Sequence, residues 1–97
     1  FSLPSLIDIK KGGITMLGNK QSSQTYYDVR KVVGTNIKRL RQKRQLTQEH
    51  LAFYAGMSCA HLAKTERGLN NPTICTLQNI ASVLGVKIEE LFHMSED

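Results

Sequence analysis

Ser58, Cys59, Ala60, Ala63 and Lys64 fall on one side of a short helix whose other side carries Leu62 and Thr65, one turn apart. Such a set suits recognition rather than catalysis. The Lys64 ammonium can donate to a purine O6 or N7, or to a phosphate. The Ser58 hydroxyl can donate or accept. Ala60 offers a methyl group, and Cys59 is small and weakly polar. These last two either touch a partner directly or leave room for its backbone. No carboxylate pair, nucleophile–base arrangement or phosphate loop accompanies them, so an enzyme is not expected. Glu66, the best candidate acid, lies one position from inward-facing Thr65.

The elements that must position this face are readable on both sides of it. Residues 46–68 form two short helices joined by the tight turn Ala55-Gly56-Met57-Ser58. Gly56 ends the first and Ser58 caps the second. Leu51, Ala52, Ala55, Met57, Leu62 and Thr65 point inward. Thr47 reads as the N-cap of the first, with Glu49 favouring the dipole of its opening turn. Upstream, Val29, Val33, Ile37 and Leu40 form one apolar stripe. That helix starts between Thr25 and Asp28 and ends near Arg44. Its other faces carry Arg30, Lys31, Lys38, Arg39, Lys43 and Arg44, and Gly34 interrupts it at some cost in propensity. Downstream, Leu69-Asn70-Asn71-Pro72 is a turn cluster. Thr73 caps a fourth helix with the stripe Ile74, Leu77, Ile80, Ala81 and Leu84, closed by Gly85. Val86 and Ile88 lead into a last short helix with Leu91 and Phe92, and residues 95–97 read as a frayed tail. The expectation is an all-α, compact five-helix bundle over residues 26–94, behind a leader or flexible segment at 1–25.

Within that leader, Pro4 and the Gly12-Gly13 pair break any period in residues 1–15. Lys10-Lys11-Gly12-Gly13 can be encoded by a purine run resembling a bacterial ribosome-binding sequence just upstream of Met16. Met16 is therefore a candidate natural start, with a genuine flexible arm as the alternative.

Composition narrows the class further. The 97 residues carry a net charge of +5. Residues 1–44 hold ten Lys or Arg against two Asp, and residues 45–97 hold three against six acidic residues. One face is thus expected to turn toward a polyanion. No apolar run reaches membrane-spanning length. Cys59 and Cys75 read as free cytosolic thiols. Cys75 is either a small buried or interfacial residue or a redox-sensitive one. His50, His61 and His93 are too scattered for a metal site. No cofactor is expected, and the expected location is the cytoplasm, at the nucleoid.

Gln48, Ala52, Gly56, Ser58, Leu62, Glu66 and Gly68 together resemble the pattern of the phage-repressor/Cro helix-turn-helix superfamily, often called the XRE family. The resemblance covers about residues 34–92. It implies a five-helix fold that lays residues 58–67 in the major groove of double-stranded DNA. Ser58, Cys59, Ala60 and Lys64 would then face bases. Gln48 would bond a phosphate and brace the recognition helix. Arg67, Asn70, Asn71 and Thr73 would form a second phosphate clamp, with Arg39 and Lys43 either joining it or simply solvated. The resemblance further implies a partly buried Arg41–Glu66 ion pair and close packing at Gly34. The implied function is a prokaryotic transcriptional regulator, a homodimer on a near-palindromic operator. Ile88, Leu91, Phe92 and Met94 would supply the dimer contact. No ligand-sensing domain is expected in a chain this short, with control expected from protein level, autoregulation or a partner. The alternative is an antitoxin-like adaptor with the same fold and little DNA readout.

Several positions depart from the family pattern. Gln45 stands where Gly is common and would adopt a mildly strained left-handed conformation. Thr65 replaces a larger apolar residue, so looser packing is expected there. His61 replaces an aromatic or bulky residue and either packs on the preceding helix or touches phosphate. Phe53 and Tyr54 stand where relatives carry charge, and partial burial against the N-terminal segment is expected.

Overall fold

A computed structural model describes residues 27–94 of the chain; the readings made of residues 1–25 and of the tail at 95–97 lie outside the described residues. The first helix, α1 (Val29–Lys43), opens at Asp28, whose carboxylate accepts from the Arg30 amide at 3.0 Å. The Arg30 guanidinium closes back on the same carboxylate at 2.8 Å. Val33, Ile37 and Leu40 are buried, but Val29 is 44% exposed. The buried part of the apolar stripe therefore begins one turn later than its spacing suggests.

The end of α1 is set by a left-handed residue. Gln45 has φ 60°, and the Leu46 amide donates to the Arg41 carbonyl at 3.0 Å, closing the last turn. A β-carbon in this region costs about 1–2 kcal/mol, so the strain expected at Gln45 is present.

Three more helices follow: α2 (Gln48–Ala55), α3 (Cys59–Glu66) and α4 (Ile74–Leu84). Their N-caps are Thr47, Ser58 and Thr73, whose hydroxyls accept from the His50, His61 and Thr76 amides at 3.0, 3.0 and 3.1 Å. Gly56 takes φ 75° between α2 and α3, a conformation open to Gly at no steric cost.

The fifth element corrects the five-helix expectation. Ile88–Phe92 is a 3-10 helix, giving four α-helices among the described residues. The Glu90 amide donates to the Lys87 carbonyl at 2.9 Å, three residues back, which is the bonding of a 3-10 turn.

α1 packs on α3 and the 3-10 helix, while α2 packs on α3 and α4. Ile37, Leu51, Leu62, Ile80, Leu84 and Leu91 are fully buried at the centre, each contributing about 1.5–3 kcal/mol. Ile74 is 75% exposed and stands outside the α4 stripe. Asn36 is buried in α1, and its amide donates at 2.7 Å to both the Leu91 and His93 carbonyls. That side chain ties the 3-10 helix to α1.

Gly34 governs how closely α1 meets α3. A β-carbon there would overlap the backbone carbonyl oxygens of Thr65 and Glu66. The close packing implied by the resemblance is thus a backbone-to-backbone contact that any side chain would push apart.

Candidate nucleic-acid interface

The inward side of α3 is held by a buried polar network. Arg41 Nε and Glu66 Oε2 lie 2.7 Å apart, and Arg41 Nη2 donates to Glu66 Oε1 at 3.1 Å. The side chains are 11% and 2% exposed. Desolvation on this scale is tolerable only when the remaining donors and acceptors are used. They are: Arg41 Nη1 donates to the Leu46 carbonyl at 2.9 Å, and Gln48 Nε2 donates to Glu66 Oε1 at 2.9 Å. One network thereby joins α1, the start of α2 and the end of α3.

The outward side of α3 is sparsely furnished. Ser58, Ala60 and Lys64 are exposed. The Ser58 oxygen is engaged as the helix cap, leaving its hydroxyl proton to donate. Cys59 is half-buried and packs against the core, so its thiol is shared between packing and surface rather than lying fully outward. The first residue of a helix leans back over the preceding turn, which brings it to that core. Lys64 is the one cation of this face within α3.

The candidate phosphate contacts separate into groups. Lys43, Arg67, Asn71 and Thr73 are exposed. The Thr73 hydroxyl both caps α4 and donates to Thr76 Oγ1 at 2.9 Å. Gln48 is half-buried, with its amide nitrogen on Glu66. Asn70 turns inward instead of facing outward: Nδ2 donates to Thr65 Oγ1 at 3.0 Å, and Oδ1 is buried without a partner. Arg39 sits apart from the clamp. Its guanidinium reaches Asn36 Oδ1 at 3.4 Å, and it lines a shallow depression with Glu89, Glu90 and His93. Arg39 and Lys43 are four positions apart and project from the same side of α1, away from inward-facing Arg41 between them.

Other positions also differ from their sequence reading. Thr65 is 2% exposed, and its hydroxyl donates to the His61 carbonyl at 3.0 Å while accepting from Asn70. The smaller residue makes hydrogen bonds that an apolar one could not. Phe53 and Tyr54 are 76% and 67% exposed, with rings edge-to-face at 5.2 Å. Their expected contact with the N-terminal segment lies outside the described residues. Cys75 is exposed and free, not buried. Leu91 is fully buried and belongs to the core, so it has no surface to give a partner. Ile88 is half-buried, and Phe92 and Met94 are 41% and 44% exposed. No described helix is long and apolar enough to cross a membrane, and no described group of His, Cys, Asp or Glu could hold a metal ion.

The Helix-turn-helix family model HTH_3 matches residues 37–91, more than half of the chain. The uncharacterised HTH-type transcriptional regulator y4dJ of Sinorhizobium fredii is 47% identical over 64 residues, covering 66% of this chain and 83% of that protein. The immunity repressor protein of Bacillus phage phi105 is 41% identical over 59 residues, covering 61% of this chain. The match spans only 41% of that repressor's own length. Among solved structures, SinR in complex with DNA, described as a master regulator for biofilm formation, is similar with a TM-score of 0.60 and 32% identity. That match covers 63% of this chain and 98% of the SinR chain. With a helix pair joined at Gly56, a braced second helix and this family match, the chain belongs to the phage-repressor-type (XRE) helix-turn-helix family.

Proposed function

We propose that the protein is a sequence-specific DNA-binding transcriptional regulator of the bacterial or phage type. It acts as a homodimer on a near-palindromic operator, with α3 in the major groove. The observation that carries this reading is the division of α3. Its inward side is locked through Glu66 to Arg41 and Gln48, and its outward side presents Lys64 beside small residues. A helix so fixed can offer one donor to base edges without reorganising. Ser58, Ala60 and the exposed part of Cys59 complete the reading face. Gln48, Arg67, Asn71 and Thr73 supply phosphate contacts, which set register but not sequence preference. The SinR complex with DNA supports this use of the fold. The second copy meets the face carrying Ile88, Phe92 and Met94, and the site of action is nucleoid DNA in the cytoplasm.

Selection of bound sequences from a random DNA pool tests this reading. The expected product is an inverted repeat with half-site centres about 10 bp apart, or a multiple of that spacing. Recovery of no common sequence would overturn it. A second reading, an adaptor that binds protein through the same fold, is favoured by the exposed Phe53–Tyr54 pair. Equal affinity for selected and random DNA would support the adaptor, because specific binding exceeds random by on the order of 10³ or more.

A further inference from the structure

We propose that His61 is a further contact to the DNA backbone and that Asn70 is the positioning residue that orients its imidazole; this rests on the DNA-binding reading above. Thr65 is fixed by burial, and it pins the Asn70 amide through the 3.0 Å bond from Nδ2. The same nitrogen lies 3.5 Å from His61 Nε2. With the Asn70 nitrogen as donor, we assign the acceptor role to Nε2 and the imidazole proton to Nδ1. His61 is exposed on α3, three residues from both Ser58 and Lys64. The relay Thr65–Asn70–His61 therefore leaves Nδ1–H as an oriented donor on a side chain that would otherwise rotate freely. Pre-orientation lowers the entropy lost on binding.

The Asn70 amide makes this arrangement at a cost. Its Oδ1 is buried with no partner, a condition that destabilises a free protein by removing the oxygen from water. Turning the amide over would place the nitrogen at the same unpartnered spot, so reassignment does not relieve the cost. The acceptor is a phosphate rather than a base, because Asn70 ties the imidazole to the loop carrying Asn71 and Thr73.

A double-mutant cycle on the full chain, read by fluorescence anisotropy with the selected operator and with random DNA, tests the proposal. His61→Ala weakens both duplexes alike, on the order of tenfold, and His61→Gln, which keeps one acceptor and one donor, recovers most of the loss. Asn70→Ala weakens wild-type binding but has no further effect in the His61→Ala background. Unchanged affinity for His61→Ala would overturn the proposal, as would a loss confined to one operator position. Full additivity of the two substitutions would reduce Asn70 to a structural residue and overturn the relay. Failure of the wild-type protein to bind any DNA is distinguishable from these, since it removes the DNA-binding reading itself.

Discussion

On its inward face α3 places Leu62, Thr65 and Glu66 at 0%, 2% and 7% exposure, each matched by a specific partner. Its outward face gives Ser58, Ala60, His61 and Lys64 to solvent, with Lys64 the one Lys or Arg among them. The inward face meets a glycine, an arginine and a glutamine. Among the described residues the outward face is met only sparingly, by the Ser58 cap and the approach of Asn70 to His61. Rigidity and specificity are thus supplied by different residues of one eight-residue helix. The interior decides where α3 points, and a few exposed side chains decide what it reads.

Substitutions can break that division from the inside. Glu66→Ala strands the Arg41 guanidinium in a buried site and is expected to lower stability by about 3–5 kcal/mol. Chemical denaturation measures it; an unchanged midpoint would mean that the network does not anchor α3. Gly34→Ala pushes a methyl group into the α3 backbone and is expected to cost about 1–3 kcal/mol. Its signature is a weaker α1–α3 contact, seen as faster amide exchange in both helices. Gln45→Gly works in the opposite direction. Removing the left-handed β-carbon raises stability by up to about 1 kcal/mol, offset in part by the extra freedom of the unfolded chain.

The smallest effect is electrostatic and far from α3. The Arg30 side chain, and then its amide, hold the exposed Asp28 carboxyl below its ordinary range. The contribution of that charge is complete above the ordinary carboxylate range and is lost as pH falls through the lowered value. Asp28→Asn keeps an oxygen for the cap and removes the charge. Thermal midpoints of the two proteins should differ slightly at neutral pH and converge in strong acid.

Local features were legible in the sequence because they depend on few neighbours. Thr47, Ser58, Thr73, Gly56 and Gly85 mark their helix ends by chemistry within four residues. Contacts across the chain were not. Asn36 reaches Leu91 and His93 over 55 and 57 residues, and nothing in its flanks signals burial. Leu91 reads as surface from a short amphipathic segment, yet Asn36 folds that segment onto α1. The pairing of Arg41 with Glu66 was available only through the resemblance, since two residues 25 apart carry no spacing rule. The inward turn of Asn70 depends on Thr65 being buried, which periodicity shows, and on its hydroxyl being free to accept, which periodicity does not.

The central claim, that an anchored α3 reads DNA through its outward face, is tested most directly with Lys64→Ala. Its affinity is measured against the selected operator and against every single-base variant of one half-site. The account predicts unchanged folding and a loss of about 1–3 kcal/mol that disappears at one base position, where discrimination is relaxed. A loss spread evenly over all positions would place Lys64 on a phosphate and contradict the claim.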